Sequence, residues 1–532
     1  MMSKTTMIFA IVTTASAIRG RTSGFTSLFG YQHQRWQSGR FLSADRGTSV
    51  AASPLNPVTS CNPAFPNKYL IYWRGEHKEG YSQTFRHWEF LSALTATIAD
   101  RHRTVNASQA YQLLQEATSF SNAFSFDPTK RHGLDLMTSL HQAKLFNEAL
   151  QFLSFSNDSC SIQSMITPEI VAHATKRCAL IHSSYQVVAD GMDYSELVDR
   201  SLKSRAFEAM FSGHSHSNTA TTNSTSKSWS VRRQEYSFAG NNDEPRFGKR
   251  TTRSPSKEKV ALLALKPLLE KFGGTVDLKN PECQICLMEG LCDNKFHVKE
   301  EKLYKILGVK LASGAKHSVI APNTRICKTN TPLCSISAHL LCNIAMIRGN
   351  HTVLDPFAGS AATLLAASRI ASDVRTVGIE VLSDTLISRE QIRQDFISRH
   401  LKEPLALFEG DVMDPNIRDE SRNLIGNLGF DVILTDPPYG IRETMAVDGY
   451  FDGQSALSNL IKAIEHDRSA GKPLLKQGGR FVAFQPCRHG QSIRTLLPSR
   501  LELEHAGLKL DKMREQKLNS GLSRWILLFL SI

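Results

Sequence analysis

Phe430 to Glu443 reads FDVILTDPPYGIRE, an apolar run that ends in an acid, two prolines, a tyrosine and a glycine. Phe430, Val432, Ile433 and Leu434 predict a short strand buried on both faces. Asp436 then stands at the carboxyl end of that strand, where open α/β sheets bind their ligands. Pro437 and Pro438 hold φ near about −65° and carry no N–H, so the turn is stiff and its carbonyls lack strand partners. Tyr439 adds a flat face, and Gly440 lets the chain leave in almost any direction. A carboxylate beside the Pro437 carbonyl makes two acceptors on a fixed frame, matching the two donors of an exocyclic amino group. A planar heterocycle carrying that group would stack on Tyr439. Held by both N–H bonds, the nitrogen turns its lone pair toward an electrophile. A strand end with a proline stop is the plain alternative, but it leaves the acid and the ring unexplained.

Residues 326–532 alternate strand and helix patterns around this stretch. Strands are expected at Thr352–Asp355, Val377–Glu380, Leu405–Phe408, Phe430–Thr435 and Arg480–Phe484, then an antiparallel hairpin from Leu508 to Leu530. Such alternation predicts an α/β fold with a doubly wound parallel sheet. Asn330, Thr331 and Pro332 predict a capped helix start, with the helix running from Leu333 to Ile347. After the first strand, Asp355-Pro356-Phe357-Ala358-Gly359-Ser360 makes a tight turn into a helix over Thr363 to Ile370. Its small residues let a ligand approach the backbone. The second strand ends in Glu380, placed to accept from both hydroxyls of a ribose. Asp411, with Val412 beside it in EGDVMDP, follows the third strand and can reach an adenine amino group.

Four acids at successive strand ends are each a costly buried charge unless a ligand pairs with them. A dinucleotide site needs G-x-G-x-x-G to cradle a pyrophosphate, and this turn has neither that pattern nor a basic residue nearby. An acidic turn repels phosphate and welcomes a sulfonium or an amino group. The cofactor read from these residues is therefore S-adenosyl-L-methionine.

At 532 residues the chain is long enough for two or three domains. Its net charge is +13, of which residues 1–60 hold six Lys/Arg against the single acid Asp45, leaving +8 for the remainder. That excess is compatible with a polyanionic partner. Residues 1–65 have the composition of an organelle presequence or a disordered start: Lys4, an apolar run from Met7 to Val12, Ala15-Ser16-Ala17, then an Arg/Ser-rich stretch. Localisation is expected to be cytoplasmic, or mitochondrial or plastid if that segment acts as a presequence. No apolar stretch reaches the ~20 residues needed to cross a bilayer, so no membrane is expected.

Residues 66–325 are expected to form an α+β region of short strands. KYLIYWRGEH from Lys68 reads as a strand, followed by a helix with Phe85, Trp88, Leu91 and Leu94 or Thr95 on one face. A β–α pair is expected over Ala179 to Val188 and Asp193 to Phe211, and a helix from Lys259 to Phe272. Two strands broken at Asn280-Pro281 are expected within Thr275 to Leu287, and another over Leu307 to Ala312. Residues 101–160 show weak periodicity and receive no role. The run 212–257 is expected to be a flexible insertion. Cys283, Cys286 and Cys292 lack the second pair a zinc site usually shows. They read as buried thiols on a strand, and no metal is expected.

TDPPYGIRE and VLDPFAGS resemble the tRNA guanine-10 N2-methyltransferase family, whose catalytic part is a class I methyltransferase for exocyclic amino nitrogens. GTVDLKNPECQICL resembles the VDLKNP strand of that family's RNA-binding THUMP domain, and KYLIYWRGEH its amino-terminal opening. The resemblance implies a doubly wound class I methyltransferase sheet with an antiparallel last strand over 326–532, preceded by a ferredoxin-like, THUMP-type region over 66–325 that grips tRNA. It implies S-adenosyl-L-methionine held by Asp355, Pro356, Phe357, Gly359, Ser360, Glu380, Asp411 and Val412. A guanine would be held by Asp436, Pro437, Pro438 and Tyr439.

Lys249, Arg250 and Arg442 are the expected RNA contacts. The implied partners are tRNA and a small zinc-binding methyltransferase activator subunit. The family pattern usually reads D-P-x-x-G-[ST]-G, and Ala361 stands at its last glycine. A methyl group there is expected to crowd the methionine end of the cofactor unless φ is negative. Competing readings are transfer to adenine N6 or a glutamine amide, and a catalytically silent RNA-binding protein.

Overall fold

The computed structural model describes residues 68–74, 83–102, 104–123, 148–155, 162, 164–211, 228–238, 245–247, 255–272, 274–290, 304–381, 387–439 and 453–532. The expected presequence, Lys249, Arg250, Arg442 and Cys292 lie outside the described residues, as does most of 212–257.

The first sheet contains β1 (Tyr69–Trp73), β2 (Thr118–Asn122), β3 (Leu150–Phe155), β4 (Ile181–Gly191), β5 (Trp229–Phe238), β6 (Pro245–Phe247), β7 (Cys283–Glu289) and β8 (Lys305–Ser313). Their order is β2-β3-β1-β4-β8-β7-β5-β6, and β5 pairs with β7 in parallel. Helices α1 (Gln83–Arg101), α2 (Ala107–Ala117), α3 (Pro168–Arg177), α4 (Tyr194–Leu202), α5 (Arg205–Phe211), α6 (Pro255–Ala264) and α7 (Lys266–Leu269) accompany it.

Several expectations change here for identifiable reasons. The strands are not all short: β4 has 11 residues and β5 has 10. β5 falls inside the stretch expected to be flexible. Its run of polar residues hid it; Arg233 pairs with Glu289 of β7, while the buried Ser230 hydroxyl finds no partner among the described residues. The helix expected over Asp193 to Phe211 breaks at Lys203-Ser204, and the one expected from Lys259 begins at Pro255 and breaks at Leu265. Only Val276 bridges where a first strand was expected after Thr275. There Asp277 Oδ1 accepts from the Lys279 and Asn280 N–H groups, which folds the chain into a turn. Cys286 is a buried free thiol on β7, and Cys283 is half-buried.

The second sheet follows α8 (Ser335–Ile344) and is built from β9 (Thr352–Asp355), α9 (Ala362–Ile370), β10 (Arg375–Glu380), α10 (Arg389–Ile397), β11 (Ala406–Glu409), α11 (Pro415–Asn423), β12 (Phe430–Thr435), α12 (Gly453–Ser469), β13 (Leu475–Arg488), β14 (Leu508–Lys517) and β15 (Leu522–Ser531). The order is β11-β10-β9-β12-β13-β15-β14. β9 to β13 run parallel, while β15 lies antiparallel between β13 and β14. This doubly wound sheet with a reversed strand near one edge is the class I methyltransferase fold. The N-terminal helix of this part starts at Ser335 rather than Leu333, with Cys334 at the cap position and no side-chain capping bond. Arg325 accounts for the delay: its Nη2 donates to the Leu333 carbonyl and holds that residue outside the helix.

The α1 helix joins the two sheets, and it is buried on both sides rather than one. Phe85, Trp88 and Leu91 pack with Leu340, Leu341 and Leu364 of the second part. Phe90, Leu94 and Ile98 face Tyr69 and Ile71 of the first sheet. A helix between two layers needs apolar residues all round, which blurs the one-sided periodicity expected from sequence. α2, within the stretch that received no role, bridges the same two parts: Lys512 of β14 donates to the Tyr111 hydroxyl at 3.1 Å, and Arg480 of β13 to Ser108.

Glu89 sits fully buried at this junction. Its carboxylate accepts from the Ala179 N–H (2.7 Å), the Leu180 N–H (2.9 Å) and Asn343 Nδ2 (3.0 Å). Burial pushes its pKa up, and the three donors oppose that shift. Glu89→Gln sets an NH2 against one of the buried N–H groups. We expect a loss of about 1–3 kcal/mol in chemical denaturation, and an unchanged midpoint would refute the role given to this contact.

Candidate active site

β9 and β12 are neighbours, yet the chain winds away from β9 in the opposite direction through β10 and β11. This is the switch point of a doubly wound sheet, where a crevice opens beyond the strand ends. Asp355 ends β9 and Asp436 follows β12, so the two acids flank that crevice from adjacent strands.

Asp355 is only 2% exposed. Its Oδ1 accepts from the Phe357 N–H at 3.1 Å, and its Oδ2 accepts from the Thr363 hydroxyl at the start of α9. Burial pushes its carboxyl up to about 7, against the pull of those two donors, and the neighbouring Asp436 charge adds to the rise. Pro356 is buried and Phe357 half-buried in the turn that follows.

Tyr439 and Arg524 both hold Asp436. The Tyr439 hydroxyl donates to its Oδ1 at 2.7 Å. Arg524, from β15, brings Nη1 to 3.9 Å from its Oδ2 and donates to the Tyr439 oxygen at 3.3 Å. The guanidinium is itself pinned: Nε donates to Gln516 (2.8 Å), Nη2 donates to Ser337 (2.6 Å), and the group stacks 3.9 Å above the Phe484 ring. Arg524 is only 7% exposed, a fixed cation aimed at the acid. Pro437 is buried, and Pro438 and Tyr439 are half-buried beside it. Burial and the Asp436 charge push the Tyr439 phenol well above its ordinary range, so it stays a neutral donor.

The glycine turn faces open space. Gly359 has φ +51, and a methyl group added to it would meet nothing within 4 Å. Its N–H donates to Glu380 Oε2 at 2.7 Å, so the acid ending β10 is tied to the turn. Asp411 is exposed, with Oδ1 accepting from the Met413 N–H, and Val412 is buried beneath it. Only Asp355 is therefore a fully buried charge; Glu380 and Asp436 are half-buried, and the burial cost expected for all four acids falls mainly on one. Ser360 is 5% exposed and accepts from Arg325 Nη1 at 2.8 Å, which fastens the turn to the segment entering this half of the chain.

Ala361 has φ +58, in the left-handed region, so the condition of a negative φ fails. Its side chain is nonetheless fully buried in the apolar core with Leu364 and Leu365. The cost is local backbone strain of about 1–2 kcal/mol, and the methyl group packs in that core.

The loop carrying Asp411 and Val412 is anchored from below. Arg418 of α11 donates to Asp467 of α12 through Nε (2.7 Å) and Nη2 (2.9 Å), and through Nη1 to the Val412 and Met413 carbonyls, both at 2.8 Å. Arg422 joins the same carboxylate. Fixed charges hold Asp467 below its usual range against the rise that burial brings. Among the described residues no group of three or more His, Cys, Asp or Glu is placed to hold a metal. Among them, too, no helix is long and apolar enough to cross a membrane.

Sequence reasoning missed Arg524 and the Arg418–Asp467–Arg422 cluster. No local motif marks either, because each depends on contacts between distant segments.

No family profile matches the chain. It is 27% identical over 303 residues to the tRNA (guanine(10)-N(2))-methyltransferase TRMT11 of Gallus gallus, covering 52% of this chain and 63% of the relative. The tRNA (guanine(10)-N(2))-methyltransferase of Saccharomyces cerevisiae is 24% identical over 261 residues, covering 44% and 59%. The chain thus spans a little under two thirds of the length of the curated relatives it matches. Among solved structures, TrmN from Thermus thermophilus aligns with 78% of this chain and all of its own, at 17% identity and a TM-score of 0.30, too low to carry weight. By its class I fold, its acid-lined switch point and these curated relatives, the chain resembles the tRNA guanine-10 N2-methyltransferases.

Proposed function

We propose that this chain transfers a methyl group from S-adenosyl-L-methionine to the exocyclic N2 of guanine 10 in tRNA. The observation that carries the reading is Asp436, set at the end of β12 between the Tyr439 hydroxyl and a pinned arginine. The curated relatives, named for this reaction, supply the substrate.

The residues present suit the cofactor. Asp355, Glu380 and Asp411 offer carboxylates to its amino and hydroxyl groups, with Val412 and Phe357 as apolar walls. Gly359 leaves free space at the turn, and Pro356 and Ser360 fix the turn's shape. When bound, the cofactor supplies a methyl group on a positively charged sulfur.

The target guanine leaves its helix to enter the crevice, as base-modifying enzymes on duplexes require. Its amino group replaces the Tyr439 hydroxyl as donor to Asp436, and the Pro437 carbonyl accepts the second N–H. Tyr439, freed, offers its ring for stacking. Arg524 sets a fixed positive charge 3.9 Å from Asp436 Oδ2 and holds the turn in place. The cofactor would supply the methyl group to N2 and leave as the neutral thioether, and Asp436 would take the surplus N2 proton and pass it to water. Alignment and fixed electrostatics supply most of the acceleration.

Asp355 makes cofactor binding depend on pH. Below about pH 7 its carboxyl is protonated in the free protein, and a cationic ligand must displace that proton. Affinity for S-adenosyl-L-methionine is expected to fall up to about tenfold per unit below pH 7 and to level off above it. Calorimetric titration from pH 5.5 to 8.5 reads this directly, and Asp355→Asn should flatten the profile. A flat profile in the unaltered chain would remove Asp355 from the cofactor site.

The region of the first sheet would hold the tRNA, with Lys249, Arg250 and Arg442 as contacts and a small zinc-binding activator subunit as partner, in the cytoplasm. The reading is tested with tRNA transcripts carrying guanine or inosine at position 10, with and without the activator. Inosine lacks the amino group, so methyl incorporation should vanish with it. Equal incorporation into both transcripts would point to another atom.

A further inference from the structure

A cleft of roughly 360 Å³ lies where the two halves of the chain meet, at the far end of α9 from the glycine turn. Seven residues of α9, about 10 Å of helix, separate Ala362 beside the turn from Arg369 in the cleft wall. Arg101, Lys176, Arg177 and Arg369 line it, with Asp100 as the one acid among its lining residues. The volume falls within the range of small-ligand sites.

The four cations stand in the last turns of α1, α3 and α9. The plain explanation is that they complement three helix carboxyl ends, each worth about half a negative charge. Arg177 does serve carbonyl and amide groups: its Nη2 donates to the Ile347 carbonyl at 2.6 Å and its Nε to Asn343 Oδ1. The side chains of Arg101, Lys176 and Arg369 make no hydrogen bond or ion pair with any described residue. Arg369 Nε is buried with no acceptor, a donor left for something that enters the cleft. His339 adds a different capacity to the wall. Its Nδ1 donates to the Ser335 carbonyl at 2.8 Å, which leaves Nε2 as an acceptor for a hydroxyl.

We propose that this cleft binds a phosphate group, presented by an RNA backbone or by a free phosphate ester. Guanidinium forks match phosphate oxygens in pairs. The acceptor nitrogen of His339 fits a hydroxyl next to that phosphate, such as the 2′-OH of a ribose. The site is separate from the methyl-transfer crevice and stands or falls independently of the reaction proposed there.

The test compares the full chain with the combined Arg101→Gln, Lys176→Gln and Arg369→Gln variant. In the first arm, inorganic phosphate is titrated against chloride at matched ionic strength while thermal stability is followed. In the second, the dissociation constant of a tRNA transcript is measured between 50 and 200 mM KCl. The unaltered chain should be stabilised by phosphate and the variant should not. If RNA is the source, the variant should also bind tRNA at least about tenfold more weakly at low salt, with a salt slope shallower by one to two. Loss in the phosphate arm alone assigns the cleft to a free ester. Equal behaviour of both proteins in both arms overturns the proposal. Lys176→Gln alone, at an exposed position, gives the same comparison if the triple variant fails to fold, with a smaller expected loss of about two- to fivefold.

Discussion

Asp436→Ala is expected to lower methyl transfer by about 10²–10³-fold, the range for removing one fixed electrostatic contact to a reacting group. Its affinity for tRNA should stay within a few-fold, because phosphate contacts elsewhere dominate binding. The loss should appear in single-turnover rate. Arg524→Met provides the companion experiment. Methionine keeps apolar packing on Phe484 but removes the charge near Asp436 Oδ2 and the bonds to Tyr439, Gln516 and Ser337. A positioning role predicts a lower single-turnover rate with little change in tRNA affinity. The two substitutions act on one unit, so their combination should cost little more than Asp436→Ala alone. Additive losses would mean that Arg524 acts elsewhere. A turnover for Asp436→Ala within a few-fold of the unaltered chain would end the assignment of this acid.

Asp467→Ala should be the most damaging single change to stability, at about 3–5 kcal/mol. The carboxylate is shared by two arginines that are each 2% exposed; its removal leaves Arg418 buried without a counter-charge and Arg422 with Asp419 alone. The same arginine Arg418 holds the Val412 and Met413 carbonyls. Loosening it should therefore weaken cofactor binding as well as folding. Denaturant unfolding of the second half of the chain measures the first effect, and cofactor titration at low temperature measures the second. A change below about 1 kcal/mol would show that the cluster is easily replaced by water.

The contrast between these two predictions explains what the sequence disclosed. β9 and β12 were legible to the residue, because an apolar run stopped by Asp-Pro leaves few choices for either end. The glycine turn and the acids at the strand ends were legible for the same reason: each follows a strand within a few residues. Arg524 was not, because it lies 85 residues beyond Tyr439 and reaches it only after β15 inserts antiparallel beside β13. Asp467 and Arg418 sit 49 residues apart on two helices whose charged residues look solvent-exposed in isolation. α1 misled in the opposite sense. Phe85, Trp88 and Leu91 do share a face, but Leu94 points into a second core, so one-sided periodicity described half of that helix. β5 was hidden by polar residues such as Arg233, whose partner Glu289 comes from β7, 56 residues along the chain. Ala361 shows the limit of motif comparison: the departure from glycine is real and its φ is positive, while the added methyl packs in the core.

The central claim is that the Asp436–Tyr439 turn presents a guanine amino group to S-adenosyl-L-methionine. The most direct measurement is transfer of a labelled methyl group from S-adenosyl-L-methionine to unmodified tRNA transcripts, with and without the activator subunit, followed by nucleoside analysis. N2-methylguanosine at position 10, absent with Asp436→Ala, is the predicted result. Label recovered in a different nucleoside, or none at all while tRNA and cofactor both bind, would contradict it.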